Sequence, residues 1–297
     1  MKPQKKMIRF CLTAALCALA GCAPAASSKT SQAEKTDAGE ISVMTREDGS
    51  GTRSAFTELF GIEEKQADGT RKDLTIPTAA VTSSTSVMLT NVASDPASIG
   101  YVSLGSLNDT VKGLRIDGAA PTAENIENGR YKISRPFNLV VNENPSKASQ
   151  DFISFMMSQD GQTIVEAEGY IPVKANGDYQ KSSASGKVVV SGSSSVAPLM
   201  EKLAEAYQKV SPAVKVEIQQ SDSSSGISDA ADGISDLGMA SRELKDEEKA
   251  RGLTSEVLAS DGIVVIVSPD NETDELASDT IRKIYTGEIT AWDAVSR

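Results

Sequence analysis

Loops rich in hydroxyl groups and glycine recur at three places and carry the residues best suited to binding an anion. Residues 45–53 read Thr-Arg-Glu-Asp-Gly-Ser-Gly-Thr-Arg, residues 191–198 read Ser-Gly-Ser-Ser-Ser-Val-Ala-Pro, and residues 221–226 read Ser-Asp-Ser-Ser-Ser-Gly. Each loop follows an apolar, strand-like run and leads into a helix-like one. That arrangement directs backbone N–H groups and hydroxyls at one point, which suits an oxyanion.

The same loops do not support covalent chemistry. The chain has no histidine, which excludes a Ser-His-Asp triad, a Cys-His pair and histidine-ligated zinc. A serine nucleophile would then need a lysine partner, and no Ser-x-x-Lys occurs in the sequence. The three cysteines all precede residue 23, so a disulfide framework or a thiolate metal site is not expected. We therefore predict a binding protein without a metal or cofactor, and not an enzyme.

The elements that must position these loops alternate between periods of 2 and 3.6 residues, which predicts an α/β fold. The predicted strands are 41–44, 98–102, 137–141, 188–190, 214–218, 236–240 and 262–267. The predicted helices are 54–60, 147–158, 162–168, 197–210 and 278–285. The polar segment 176–186 lacks periodicity and is predicted to be a linker.

The first forty residues predict export and anchoring. A basic start is followed by a short apolar run at 10–20, which is too short to span a bilayer and reads as a signal peptide over 1–21. The run ends in Leu-Ala-Gly-Cys at 19–22, which resembles a bacterial lipobox with Cys22 as the lipidated residue. Residues 22–40 are polar and predict a flexible tether. The expected location is the extracytoplasmic face of the cell membrane.

The charge balance limits the choice of partners. The net charge is −11, and removal of a basic leader would make it more negative. A nucleic acid needs a basic face, so it is not expected as a partner. A bound anion must instead be held by local groups in a pocket, because no general positive field attracts it.

Ordered blocks across the chain resemble bacterial phosphate-binding proteins of ABC importers. Segment 188–292 is similar to the N-terminal half of that family through Ser-Gly-Ser-Ser-Ser-Val-Ala-Pro-Leu at 191–199, Asp-Leu-Gly-Met-Ala-Ser-Arg at 236–242, Asp-Gly-Ile-Val-Val-Ile-Val at 261–267 and Ile-Tyr-Thr-Gly-Glu-Ile-Thr-Ala-Trp at 284–292. Segment 41–173 is similar to the C-terminal half through Arg-Glu-Asp-Gly-Ser-Gly-Thr at 46–52, Ile-Gly-Tyr-Val at 99–102, Arg-Pro-Phe at 135–137 and Gly-Tyr-Ile-Pro-Val at 169–173.

The two halves stand in exchanged order, which suggests a circular permutation closed by the 176–186 linker. The resemblance implies a two-lobed periplasmic-binding-protein-like (type II) fold with the ligand cleft between the lobes. One lobe is then continuous, 136–269, and carries the two serine loops. The other is split into 41–135 and 270–297 and carries the Asp-Gly-Ser-Gly-Thr loop.

The resemblance also implies a set of anion ligands. They are Arg46, Ser50, Gly51, Thr52, Ser194, Ser195, Ser223 and Ser241. We expect Asp48 to pair with Arg46 and orient it. Arg53 and Arg242 are not included among the ligands. Taken alone, 221–225 is more typical of a turn or helix cap, and 82–86 of a plain loop. Tyr101 and Trp292 are expected to pack.

The implied function is a lipoprotein receptor that captures inorganic phosphate and delivers it to ABC permease subunits, as a monomer held to the membrane only by its lipid. Some relatives carry an aspartate at the position of Ser241, where it accepts a proton from phosphate. The choice of anion therefore stays open toward sulfate, molybdate or tungstate. A phosphate sensor without a transport role is the other alternative.

Overall fold

A computed structural model describes residues 39–66 and 71–295; the predicted signal peptide, Cys22 and most of the predicted tether lie outside the described residues. The strands are β1 Ser42–Arg46, β2 Glu63–Lys65, β3 Arg71–Asp73, β4 Ala80–Thr82, β5 Ser98–Ser103, β6 Lys112–Gly113, β7 Arg115–Ile116, β8 Ser134–Val141, β9 Ile171–Pro172, β10 Gly186–Ser193, β11 Val214–Ser221, β12 Leu237–Ala240, β13 Thr254–Val267 and β14 Glu275–Leu276. The helices are α1 Gly51–Leu59, α2 Thr85–Ser94, α3 Ala123–Glu127, α4 Lys147–Met156, α5 Gln159–Ala167, α6 Ala197–Val210, α7 Ser223–Ala231, α8 Asp246–Lys249 and α9 Ser278–Tyr285.

Most strands belong to one mixed sheet with the order β11-β10-β12-β8-β13-β5-β1-β4. Strand β10 pairs in parallel with β11 and β12, and β1 pairs in parallel with β4 and β5. Strands β8 and β13 pair antiparallel between these two groups. The α/β prediction is therefore confirmed, and strands β5 and β12 are buried along their whole length, whereas the edge strand β11 is partly exposed.

Two large apolar cores lie along this sheet. The β10 core contains strand residues such as Val188 and Val190 together with Leu199 and Leu203 of α6. The β1 core contains residues such as Val43, and packs α1 and α9 against β1 and β5. The apolar stripe of α6 faces the sheet as its 3.6-residue spacing predicts, and Pro198 is tolerated because it lies in the first turn.

Strands β8 and β13 carry the chain from one core to the other. In β13, Ala259 packs in the β10 core and Ile263 in the β1 core. Phe137 of β8 packs in the β10 core, whereas Ile133 just before β8 packs in the β1 core. The change between cores thus falls near 134–136 and 260–262. It precedes the predicted boundary at 269, because β13 continues beyond the change and pairs with β5 through Val267.

Several elements differ from the sequence-based expectation. Helix α6 and helix α9 have the predicted bounds, but β13 begins at Thr254, eight residues early, because its first half, Thr-Ser-Glu-Val-Leu-Ala-Ser-Asp, is neither a continuous apolar run nor a regular alternation. Helix α2 and the bounds of α7 were not predicted, since α2 begins with Thr-Ser and α7 with Ser-Ser-Ser, and these small hydroxyl residues are also typical of loops. Among the described residues no helix is long and apolar enough to cross a membrane.

The predicted linker has no helix or strand between residues 176 and 185. It is mostly exposed, but the ring of Tyr179 packs edge-on against Phe155. The hydroxyl of Tyr179 also donates to Asp151 at 2.8 Å. Burial alone would raise the pKa of Asp151, but hydrogen bonds from Tyr207, Ser182 and Tyr179 lower it below its ordinary value. The segment is thus attached to the β10 core at several points, which also include the bond from Asn176 N–H to Met157 O and the bond from Gln159 N–H to Gly177 O.

Candidate anion site

The guanidinium of Arg46 lies at the centre of a buried cluster of hydroxyl groups. Arg46 is the last residue of β1 and is 2 % exposed. Its Nη2 donates to Ser194 Oγ at 3.0 Å. Its Nε and Nη2 also donate to the two carboxylate oxygens of Glu47, at 2.8 and 2.6 Å. This forked pairing holds the guanidinium plane in one orientation.

The start of α1 supplies the next group of donors. Ser50 caps the helix, with its Oγ accepting from the backbone N–H of Arg53 at 3.3 Å. Thr52 Oγ1 lies 2.7 Å from Ser195 Oγ, across the space between the two cores. The three residues Ser50, Gly51 and Thr52 are all buried. An N-terminal helical turn with free N–H groups favours an anion at this position.

Ser223 and Ser241 complete the cluster from the β10 side. The backbone N–H of Ser241 donates to Ser223 Oγ at 3.0 Å, and the two hydroxyl oxygens are 3.3 Å apart. Ser193 Oγ donates to Ser241 Oγ at 3.0 Å. A Cβ on Gly51 would lie only 2.4 Å from Ser223 Oγ. Glycine, which has no Cβ, therefore allows the backbone of α1 to come this close to Ser223 and Ser241. The structure thereby brings all eight predicted ligand residues into one place.

The expectation for Asp48 is wrong. Asp48 forms an ion pair with Arg53 at 2.6 Å and its side chain is almost fully exposed. The turn that follows β1 points Asp48 outward, toward Arg53 in the first turn of α1. Glu47, which directly follows Arg46, takes the orienting position instead. Nothing in the sequence separates these neighbouring carboxylates, since either could reach the guanidinium.

Thr85 belongs to the cluster although sequence reasoning favoured a plain loop for 82–86. It is the first residue of α2 and is 5 % exposed. Its Oγ1 lies 3.3 Å from the hydroxyl oxygens of both Ser194 and Ser195. The signal available in the sequence was the run Thr-Ser-Ser-Thr-Ser at 82–86, which is as rich in hydroxyl residues as the other loops but lacks their glycine.

Residues expected to stay outside the site have other partners. Arg53 pairs with Asp48 and Asp73, and Arg242 pairs with Glu248 at 2.7 Å. Tyr101 stacks on Phe56 with ring centroids 3.9 Å apart, and its hydroxyl lies 2.9 Å from Thr45 Oγ1. Burial raises the pKa of Tyr101 to about 12. The ring of Trp292 packs in the β1 core. These arginines and aromatic rings therefore have partners of their own.

A buried ion pair supports the site from the crossing strands. Arg135 of β8 and Asp261 of β13 are both almost completely buried, and their closest N–O distance is 3.2 Å. Arg135 Nη1 also donates to the carbonyl oxygen of Ser241 at 3.1 Å. Ser103 donates to the other carboxylate oxygen of Asp261 at 2.7 Å. Burial raises the pKa of Asp261 to about 6, although Arg135 and Ser103 act in the opposite direction.

A cavity of about 530 Å³ borders this region. It is lined from the β1 side by residues that include Arg53 and Asp73, and from the β10 side by residues that include Arg242 and Lys245. Arg53 and Arg242 are the immediate neighbours of Thr52 and Ser241. The cavity therefore lies beside the hydroxyl cluster, in the groove between the two cores.

The chemistry of the cluster is that of an oxyanion receptor. It offers hydroxyl groups, N–H groups at helix starts and one guanidinium, all largely removed from water. Its one carboxylate, Glu47, is engaged by Arg46. Within 39–66 and 71–295 no group of three or more His, Cys, Asp or Glu residues could hold a metal ion. Donors of this kind bind a tetrahedral anion by charge-assisted and neutral hydrogen bonds.

Comparison with known proteins places the chain in a family. It matches the PBP superfamily domain over residues 23–160 and 177–296. Phosphate-binding protein PstS 2 of Streptococcus agalactiae is 51 % identical over 94 % of this chain and 93 % of its own length. PstS of Staphylococcus haemolyticus is 37 % identical over 35 % of each chain.

A solved structure agrees with this assignment. It is a phosphate ABC transporter, phosphate-binding protein from Streptococcus pneumoniae, with 43 % identity and a TM-score of 0.68. The match covers 87 % of this chain and all of that one. The chain therefore belongs to the PBP superfamily and, within it, to the family of its PstS 2 relatives.

Proposed function

We propose that this protein binds inorganic phosphate between its two cores and delivers it to an ABC importer. The observation that carries the proposal is the buried contact of Arg46 with Ser194 inside a cluster of hydroxyls from five separate segments of the chain. Relatives that align over nearly the whole chain are named phosphate-binding proteins. Such a protein acts by capture and release, and its site needs donors but no nucleophile.

The donors are sufficient for tight binding. Micromolar affinity corresponds to about −8 kcal/mol. A hydrogen bond to a charged group contributes roughly 1.5–3 kcal/mol, so a handful of them reaches this value after the cost of ordering the side chains. The Glu47 carboxylate orients the Arg46 guanidinium, whose Nη1 and Nη2 also face Thr85 and Ser194, so the site offers a charged donor beside its hydroxyl and N–H groups.

Calorimetry against a panel of oxyanions tests the proposal. The protein, freed of bound ligand by unfolding and refolding, is titrated with phosphate, sulfate, molybdate and tungstate. We expect phosphate to bind with micromolar affinity or better. A clear heat for another oxyanion together with none for phosphate would overturn phosphate as the ligand. Restored phosphate uptake in cells that lack the receptor would test delivery.

We further propose two lobes in circularly permuted order, divided near residues 135 and 262. The separate β1 and β10 cores support the division, since the chain changes between them twice. The pattern of relatives supports the permutation. PstS 2 proteins align over almost the whole chain, whereas the staphylococcal PstS aligns over about a third of it. When two proteins carry the same two halves in opposite order, an alignment that follows the chain can match only one of the halves.

We also propose that the protein is exported and anchored by a lipid on Cys22. The support is the basic start, the apolar run and the Leu-Ala-Gly-Cys ending in the sequence. Labelling of cells with a fatty-acid analogue tests this, with Cys22→Ser as the matched variant. Incorporation into the wild type alone is expected. Equal labelling of both proteins, or of neither, would contradict the anchor.

A further inference from the structure

Thr85 touches three of the predicted anion ligands at once. Its Oγ1 lies 3.3 Å from the hydroxyl oxygens of Ser194 and Ser195 and accepts from Arg46 Nη1 at 3.5 Å. Its backbone N–H also donates to Ser194 Oγ at 3.3 Å. Thr85 thus joins the β1 side of the site to the loop that follows β10.

The position of Thr85 is tied to that of Arg46. Strand β4 pairs with β1 in parallel, with Thr82 opposite Arg46. Thr82 Oγ1 donates to the carbonyl oxygen of Thr45 at 3.1 Å, and the backbone N–H of Glu47 donates to Thr82 O at 3.1 Å. Ser84 then caps α2, with its Oγ accepting from Val87. Thr85 and Arg46 are consequently held in one fixed relation by their strands.

The hydroxyl contacts of Thr85 are longer than the neighbouring contact between Thr52 and Ser195. Its hydroxyl distances are 3.3 Å, whereas Thr52 Oγ1 and Ser195 Oγ are 2.7 Å apart. Hydroxyl–hydroxyl bonds are commonest near 2.7–2.8 Å. A buried hydroxyl with only long, shared contacts gains most when an anion oxygen arrives, because it exchanges weak bonds for a charge-assisted one.

We propose that Thr85 is a direct ligand of the bound anion, with both its hydroxyl and its backbone N–H as donors. This inference rests on the proposed function, because it adds a ligand to the same site. The hydroxyl can accept from Arg46 while it donates to the anion, since an O–H group has both capacities. Thr85 then raises phosphate affinity at the place where the β1 and β10 sides of the groove meet.

Substitutions at Thr85 separate a ligand from a packing residue. Thr85→Val keeps the shape and removes the hydroxyl, whereas Thr85→Ser keeps the hydroxyl. Thr90→Val is the matched control, because Thr90 lies on the same helix with an exposed hydroxyl that donates to Ser86 O. Phosphate titration of all four proteins is combined with thermal melts without anion.

We expect Thr85→Val to weaken phosphate binding about tenfold or more, the loss of one hydrogen bond to a charged group. Thr85→Ser should stay within about threefold of the wild type, and Thr90→Val should be unchanged. Wild-type affinity in Thr85→Val would overturn the inference but leave phosphate binding intact. A folded wild type that binds no phosphate would overturn both proposals.

A double-mutant cycle with Arg46→Lys separates direct contact from an effect through Arg46. If Thr85 contacts the anion, Thr85→Val also weakens binding severalfold in the Arg46→Lys background. If Thr85 only orients the guanidinium, the second substitution has no further effect, and the assignment as a ligand is wrong. Lysine keeps a charge in the site, so that the residual affinity stays measurable.

Discussion

Thr52 Oγ1 and Ser195 Oγ lie 2.7 Å apart although 143 residues separate them in the chain. Thr52 belongs to the first turn of α1 on the β1 core, and Ser195 to the loop between β10 and α6 on the β10 core. Each hydroxyl therefore satisfies the other when the two sides meet. An anion that enters between them offers both a stronger, charged acceptor.

Replacement of Arg46 should cause the largest loss of phosphate affinity. Arg46→Ala removes the central cation, and we expect at least about a hundredfold weaker binding, or roughly 3 kcal/mol. Arg242→Ala should cost much less, because the guanidinium of Arg242 faces Glu248 and Ser224, whereas that of Arg46 also faces Ser194 and Thr85 inside the cluster. Titration of both variants checks this. Equal losses would show that the wrong arginine had been assigned.

Gly51→Ala should weaken binding without lowering the stability of the unliganded protein. The added Cβ would lie 2.4 Å from Ser223 Oγ, 2.7 Å from Ser241 Oγ and 3.0 Å from the carbonyl carbon of Ser241. Rotation of the hydroxyls does not relieve the last contact, so the two sides must separate. Alanine also favours the helix by up to about 1 kcal/mol.

Affinity and melting temperature measured together test this prediction for Gly51→Ala. We expect affinity at least about tenfold lower with an unchanged or higher melting temperature. Ser54→Ala, one turn further along α1, is the control and should bind normally. Unchanged affinity in Gly51→Ala would mean that α1 does not approach Ser241 this closely in the bound state.

Asp261 should make stability depend on pH in a defined direction. Burial raises its pKa to about 6 from 3.8, so the folded state holds this proton more tightly than the unfolded state. Its contribution to the free energy of unfolding is therefore full below about pH 4, falls as the pH rises to about 6 and is constant above. The change is at most about 3 kcal/mol.

Urea unfolding of the wild type and Asp261→Asn between pH 4 and 8 measures that contribution. Asparagine does not titrate. The free energy of unfolding of the wild type should therefore fall relative to that of Asp261→Asn as the pH rises. The opposite slope would show that pairing with Arg135 outweighs burial and lowers the pKa of Asp261.

Cleavage in the 176–186 linker should leave a functional complex. Residues 180–183 are exposed, and both fragments contribute to the hydroxyl cluster and to packed cores. With a specific protease site inserted after Lys181, we expect two fragments that stay associated and still bind phosphate. Loss of binding on cleavage would contradict the exposed bridge that the permutation requires.

The linker also allows a test of the rival arrangement, a swapped dimer. In that case two chains would complete each site, and binding would disappear on dilution. We expect a monomer by light scattering at low concentration, with affinity independent of protein concentration. The contact of Tyr179 with Asp151 and Phe155 supports a linker that turns back on its own chain.

Local sequence patterns were enough to predict many of the main helices and strands and most residues of the hydroxyl cluster. The 3.6-residue spacing of Leu199, Leu203 and Tyr207 placed α6 with the observed bounds, because helical periodicity is a local property. The composition of the serine loops, which is also a local property, indicated an anion site. Short first turns such as Ser223–Ser225 were ambiguous, since serine caps helices and forms turns equally well.

Which side chains contact each other depended on the packing of distant elements. Glu47 pairs with Arg46 and Asp48 faces solvent, a choice set by the direction of the turn after β1. Thr85 enters the cluster because β4 lies beside β1, and this pairing joins residues nearly forty positions apart. The groove between the cores exists because β8 and β13 carry the chain across twice. Contacts of this kind depend on packing through space, which no local pattern of residues encodes.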